Sequence, residues 1–163
     1  MKKILLAFIT AGSCIPGCSQ PLATDRVVGS ACEACDLMYE GMPSNISWET
    51  QISPPGEPGE PMVISGVIRK KDGTPAPDVI LYVYHTDNEG HYSNPKRKGN
   101  RHGHLRGWVK SDANGRYKFT SIRPASYTGR TDPAHIHPLV KEPGLTLYWI
   151  DEYLFEDDPL VTE

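Results

Sequence analysis

The stretch Gly107-Trp108-Val109-Lys110-Ser111-Asp112-Ala113-Asn114-Gly115-Arg116-Tyr117-Lys118-Phe119-Thr120-Ser121 decides the fold. Two runs of strand-forming residues flank the turn Asp112-Ala113-Asn114-Gly115. In the second run apolar and polar residues alternate, which puts Tyr117 and Phe119 on one face. The same grammar continues on either side. Upstream, Val63–Arg69 alternates and runs into Lys71-Asp72-Gly73, a hairpin-type turn. Val79–Tyr84 is an apolar run rich in β-branched and aromatic residues. Downstream, His135–Val140 and Leu145–Ile150 read as two further strands. No window carries an apolar i, i+3, i+4, i+7 stripe. Short strands separated by turns at this spacing predict an all-β fold, a Greek-key β-sandwich or barrel with long loops.

Composition agrees. The chain has 163 residues, with Gly and Pro at 15 each, which is rich for a helical bundle and ordinary for a turn-rich β fold. That length holds one core, and 38% hydrophobic residues can fill it. A formal charge of −3 provides no basic field, so no nucleic-acid partner is expected.

The N-terminus reads as an export signal. Met1-Lys2-Lys3 is basic, Ile4–Thr10 is a short apolar run, and Ala11, Gly12 and Ser13 are small. Ile15-Pro16-Gly17-Cys18 resembles a bacterial lipobox, whose cysteine is lipidated and becomes the mature N-terminus. Residues 1–17 are then a lipoprotein-type signal peptide. Ala11-Gly12-Ser13-Cys14 is a weaker match, and an ordinary secretory cleavage site is the alternative. Without residues 1–17 the chain has 15 basic against 20 acidic residues, so the membrane is reached through lipid and not through charge. The expected location is periplasmic or cell-surface, with the outer membrane favoured because Ser19 follows Cys18.

Residues 18–61 read as a linker and a Pro/Gly-rich segment, with 40–61 as loop, ahead of a domain over 62–163. Within it, Cys32-Glu33-Ala34-Cys35 is a CxxC. Such a pair can be redox-active, half of a zinc site or a local disulfide. In an exported chain without a βαβ context or matching ligands, a Cys32–Cys35 disulfide is the expectation.

Metal chemistry concentrates at His135-Ile136-His137. On a strand, residues i and i+2 share a face, so both imidazoles can reach one ion. Two tyrosines stand in turn-like settings, Tyr92 in Asn88-Glu89-Gly90-His91-Tyr92 and Tyr127 in Ile122-Arg123-Pro124-Ala125-Ser126-Tyr127. A second HxH, His102-Gly103-His104, lies in a basic, Gly-rich loop and is a rival pair.

Taken in order, these motifs resemble the intradiol ring-cleavage dioxygenases. The likeness begins at Ile64-Ser65-Gly66-Val67, Asp72-Gly73-Thr74-Pro75 and Gly90-His91-Tyr92. It continues through Arg106-Gly107-Trp108, the Asp112–Phe119 turn and strand, Ile122–Tyr127 and Pro133-Ala134-His135-Ile136-His137, and it spans about residues 62–150. The resemblance implies a non-haem Fe(III) held by Tyr92, Tyr127, His135 and His137. It implies that a small aromatic diol is deprotonated, with Tyr127 accepting a proton and leaving the metal. The ring then takes up O2 and breaks between its two hydroxylated carbons to give a muconate. Hard ferric iron suits phenolate oxygen, and a trivalent ion lowers a phenol's pKa far below 10.

One position departs from the family. An arginine is usual three residues before the first histidine, and here that residue is Asp132. Arg130, two residues earlier, is the expected supplier of the catalytic positive charge, with Arg123 in reserve. Two other readings compete with the enzyme: a non-catalytic transthyretin-like β-sandwich binding module, and capture of iron or catecholate without turnover. The sequence does not indicate an oligomeric state.

Overall fold

The computed structural model of the protein describes residues 34–92 and 101–161. A 3-10 helix (Cys35–Tyr39) precedes eight strands: β1 (Glu49–Gln51), β2 (Pro61–Val67), β3 (Ile80–His85), β4 (Arg106–Lys110), β5 (Arg116–Ile122), β6 (His135–Lys141), β7 (Tyr148–Trp149) and β8 (Tyr153–Leu154). They form two sheets, one ordered β1-β5-β2 and the other β4-β3-β6-β7, with β8 also paired to β6. The fold is the expected all-β sandwich. Among the described residues no helix is long and apolar enough to cross a membrane.

The strands predicted from alternation form within a residue or two of their expected ends. Two expectations are corrected. Residues 40–61 are not all loop, because Glu49–Gln51 pairs in parallel with Lys118–Thr120. Proline and glycine on either side mask this strand, and the burial of Ile52 against Gly107 anchors it. Leu145–Ile150 is not one strand. Only Tyr148 and Trp149 pair with β6, and a separate pair, Tyr153–Leu154, continues along the same edge of β6.

Period-2 alternation divides each strand between two environments. Leu81, Val83, Val109, Phe119, Ile136 and Val140 face the space between the sheets and form the main core. Phe119 is completely buried, and truncating such a ring to alanine costs about 3–5 kcal/mol. The opposite face of the second sheet carries Tyr82 and Tyr84 of β3 beside Leu139 and His137 of β6, in register. One end of this outer face is covered. Cys35 and Met38 of the 3-10 helix pack on Tyr82 and Leu139, and Trp108 Nε1 donates to the Met38 carbonyl at 2.8 Å. The other end holds the site.

Candidate functional site

Strand β6 begins the site. Ile136 points into the core with no exposed surface, so His135 and His137 must both point outward. Asp158 holds the entry to this strand, its Oδ2 accepting the Ala134 N–H at 2.9 Å.

Two loops bring the tyrosines to the histidines. Asp87 Oδ1 accepts the N–H groups of Glu89 and His91, each at 2.9 Å, which curls the turn ahead of Tyr92. The loop carrying Tyr127 is laced to that turn. The Ala125 N–H donates to the Asp87 carbonyl at 3.0 Å, Thr86 Oγ1 to the Ala125 carbonyl at 2.7 Å, and Thr128 Oγ1 to the Glu89 carbonyl at 3.0 Å.

The result is a cluster of four donor atoms. Tyr92 Oη lies 2.6 Å from Tyr127 Oη. Tyr127 Oη lies 3.0 Å from His135 Nε2 and 3.0 Å from His137 Nε2. The two Nε2 atoms are 3.0 Å apart. Sequence reasoning named these four residues, and the structure brings all four together.

The tautomers matter here. His135 Nδ1–H donates to the Pro133 carbonyl at 2.6 Å, which leaves Nε2 a bare acceptor. His137 Nδ1 faces Glu152 Oε1 at 3.5 Å. With its proton on that side, both Nε2 atoms present lone pairs, and the single Tyr127 hydroxyl can satisfy only one of them. Burial pushes the Tyr92 and Tyr127 phenols upward, Tyr92 further because Tyr127 lies against it. Burial, reinforced by His135, pushes the His137 imidazole down to about 4. The cluster therefore holds one Nε2 lone pair more than its hydroxyls can satisfy, which is the condition a metal ion completes. Donor atoms that share one ion must lie close together, and these four show neighbour spacings of 2.6 to 3.0 Å. Among the described residues no group of three or more His, Cys, Asp or Glu side chains is placed for a metal. The donor set here is half phenolic.

A second layer supports His137. Tyr84 stacks on it with ring centroids 4.7 Å apart, and His102 stacks on Tyr84 at 3.8 Å. His102 Nδ1 and Tyr82 Oη are hydrogen-bonded at 3.0 Å. The rival HxH is thus divided, for His104 Nε2 sits 3.0 Å from Glu57 Oε1. Neither ring joins the cluster. Tyr84 and Glu152 were missed from the sequence; the only signal for Tyr84 was its place in an apolar run.

Arg130 and Asp132 stand at the mouth. Arg130 Nε donates to Asp132 Oδ2 at 2.7 Å, and its guanidinium carbon lies 5.2 Å from the centroid of the Tyr127 ring. Arg123 is elsewhere, paired through both terminal nitrogens with Asp157 at 2.8 and 2.6 Å. Tyr127, His135, His137, Arg130, Asp132 and Glu152 line an open cleft of about 360 Å³, within the range of small-molecule sites. Cys35 is disulfide-bonded, while Cys32, Cys18 and the signal segment lie outside the described residues.

Comparison with known proteins points the same way. A family model described as Dioxygenase matches residues 40–163. The chain is 30% identical over 128 residues to catechol 1,2-dioxygenase 2 of Acinetobacter lwoffii, covering 65% of this chain and 46% of that protein. It is 33% identical over 120 residues to a chlorocatechol 1,2-dioxygenase of Rhodococcus opacus, covering 63% and 46%. The chain thus spans a little under half the length of these curated relatives. Its fold is similar to the dioxygenase domain of a dioxygenase–carbohydrate-binding fusion from Streptomyces sp. SirexAA-E, with a TM-score of 0.58, 24% identity, and coverage of 72% of this chain and 71% of that one.

Proposed function

The chain belongs to the intradiol ring-cleaving dioxygenase family, and on that footing we propose that it is an exported Fe(III) dioxygenase acting on a small catechol-like aromatic. The observation that carries this reading is the convergence of Tyr92 Oη, Tyr127 Oη, His135 Nε2 and His137 Nε2. Ferric iron held by these donors supplies a Lewis acid strong enough to ionise phenolic hydroxyls at neutral pH.

The chain's own residues do the rest. Tyr127 Oη touches Tyr92 and both imidazoles and faces the open cleft, so, once ionised by the bound metal, it would be the atom placed to take a proton from an incoming diol. His135, fixed by the Pro133 carbonyl, keeps its Nε2 lone pair aimed at the cluster. Arg130 supplies positive charge beside Tyr127, where negative charge builds on the substrate ring as O2 adds. A plain binding module accounts for the strands and turns but has no use for four convergent donors. Capture of a catecholate without turnover is the second reading, and the pairing of Arg130 with Asp132 favours it, because that ion pair offsets the charge turnover would use.

The test is colour, iron and product together. Purified protein should hold one ferric ion per chain and show a visible phenolate-to-iron band. Tyr92→Phe and His137→Ala should abolish the band, and His104→Ala should keep it. Conversion of catechol to a ring-opened diacid marks the enzyme. Coloured protein that opens no catechol supports capture, and colourless protein sinks both readings.

Export is part of the same proposal. Cys18 is the proposed lipidation site and Cys32 the proposed partner of Cys35. A Cys18→Ser variant should leave the membrane fraction; retention like the parent's would move the anchor elsewhere.

A further inference from the structure

Arg130, Asp132 and Glu152 are the charged side chains that line the cleft among the described residues. The first two are bonded to each other at 2.7 Å, so as a pair they add no net charge to the cleft. Glu152 has no such partner among the described lysines and arginines. The uncharged His137 imidazole faces it, with Nδ1 3.5 Å from Oε1.

Glu152 also stands at a junction. Together with His137 it lines both the open cleft and a smaller adjoining cavity of about 190 Å³. The walls of that second cavity include Tyr84, His102 and Trp149. Both faces of the Tyr84 ring are covered by His102 and His137, so the Trp149 indole is the ring beside the carboxylate, and that pairing is the chemistry that recognises an organic ammonium, through charge attraction and cation–π contact. The same carboxylate repels an anion.

Resting on the reading given under Proposed function, we propose that this site selects catechols carrying an ammonium side chain. The diol ring lies in the open cleft at the tyrosine–histidine cluster, and the ammonium enters the second cavity against Glu152. The reaction is unchanged: the bond between the two hydroxylated carbons breaks, and both atoms of O2 end in the two carboxyl groups of the product. A catechol with a carboxylate on the same side chain meets Glu152 as a like charge and binds weakest.

The experiment uses the full-length, iron-loaded protein and reads binding from the shift of its visible band. Three probes of similar size are titrated: dopamine, neutral ethylcatechol and anionic dihydroxyphenylpropionate. Dopamine should bind about fivefold tighter than ethylcatechol, and the anion more weakly than either. The dopamine preference should shrink in high salt, because part-exposed charges are screened. Glu152→Gln should bring the dopamine-to-ethylcatechol ratio to within about twofold; taking a ratio cancels any general effect of the change on the iron. Equal affinities, a preference for the anion, or a preference that survives Glu152→Gln overturns the selectivity. If none of the three probes moves the band, or the protein holds no iron, the reading under Proposed function fails and takes this one with it.

Discussion

Gly90 lies so close to Ser126 that a Cβ added to it would fall on the Ser126 carbonyl oxygen. Its φ is +82°, a conformation other residues adopt only with strain. This contact seats the turn before Tyr92 against the loop before Tyr127. The two phenols meet at 2.6 Å because their backbones are allowed to touch.

Gly90→Ala should therefore cost about 1–3 kcal/mol in stability from backbone strain. It should weaken iron binding far more than a surface substitution of similar cost, because the carbonyl cannot give way without moving Tyr127. Urea unfolding and iron content, measured side by side, check this. Full iron occupancy in a destabilised variant would show that the loops adjust independently.

Arg130 and Asp132 form an exposed pair whose charges oppose each other in the reaction. Arg130→Ala should lower turnover by roughly two orders of magnitude while colour persists. Asp132→Asn should raise turnover severalfold, since it leaves the guanidinium in place and removes the offsetting charge. If Asp132→Asn lowers turnover as much as Arg130→Ala does, Asp132 matters for holding Arg130 in position.

Cys35 packs with Met38 on Tyr82, and Tyr82 is bonded to His102 in the stack behind His137. A Cys32→Ser, Cys35→Ser double variant should lose stability and keep its visible band, with the band maximum slightly displaced as the stack relaxes. Non-reducing mass spectrometry of the parent should show two hydrogen atoms fewer than the reduced chain. An intact dithiol, or complete loss of iron in the double variant, would refute this account.

His85 is completely buried between the sheets, its Nδ1 donating to the Thr86 carbonyl at 2.7 Å and its Nε2 accepting from Ser121 Oγ at 2.8 Å. Burial pushes it down to about 4. The folded state then resists a proton that the unfolded chain accepts near pH 6.5. Stability is full above about pH 6.5 and falls toward pH 4, at up to about 1.4 kcal/mol per pH unit for one such group. His102, also pushed down to about 4, adds to the slope. Urea unfolding across this range should show the loss, and His85→Gln should reduce the slope by about one proton. An unchanged slope would remove His85 from the account.

Much of the site was legible because its parts are local. HxH on a strand forces two imidazoles to one side, and a buried Ile136 between them forces that side outward. The tyrosines were found through the motifs around them, not through any property of a lone tyrosine. Glu152 was invisible, since it follows β7 in a segment whose path no turn signal specifies. The strand at Glu49–Gln51 was hidden for a related reason: three residues pairing with a strand far along the chain leave no period to read.

By itself the sequence determined five of the strands, the turns and the shared face of His135 and His137, because alternation and turn chemistry act between residues a few positions apart. It did not determine pairing. Strands β4 and β5 flank the tight turn at Asp112–Gly115, yet they belong to different sheets, and β3 takes β6 as its neighbour. Tertiary structure alone placed Tyr84 behind His137, set His102 against Tyr84 and His104 against Glu57, and brought Glu152 to the mouth of the cleft. The physical reason is that these contacts join segments whose sequence separation exceeds any local period. Only the burial of Phe119, Val83 and Ile136 in one shared core settles which surfaces meet.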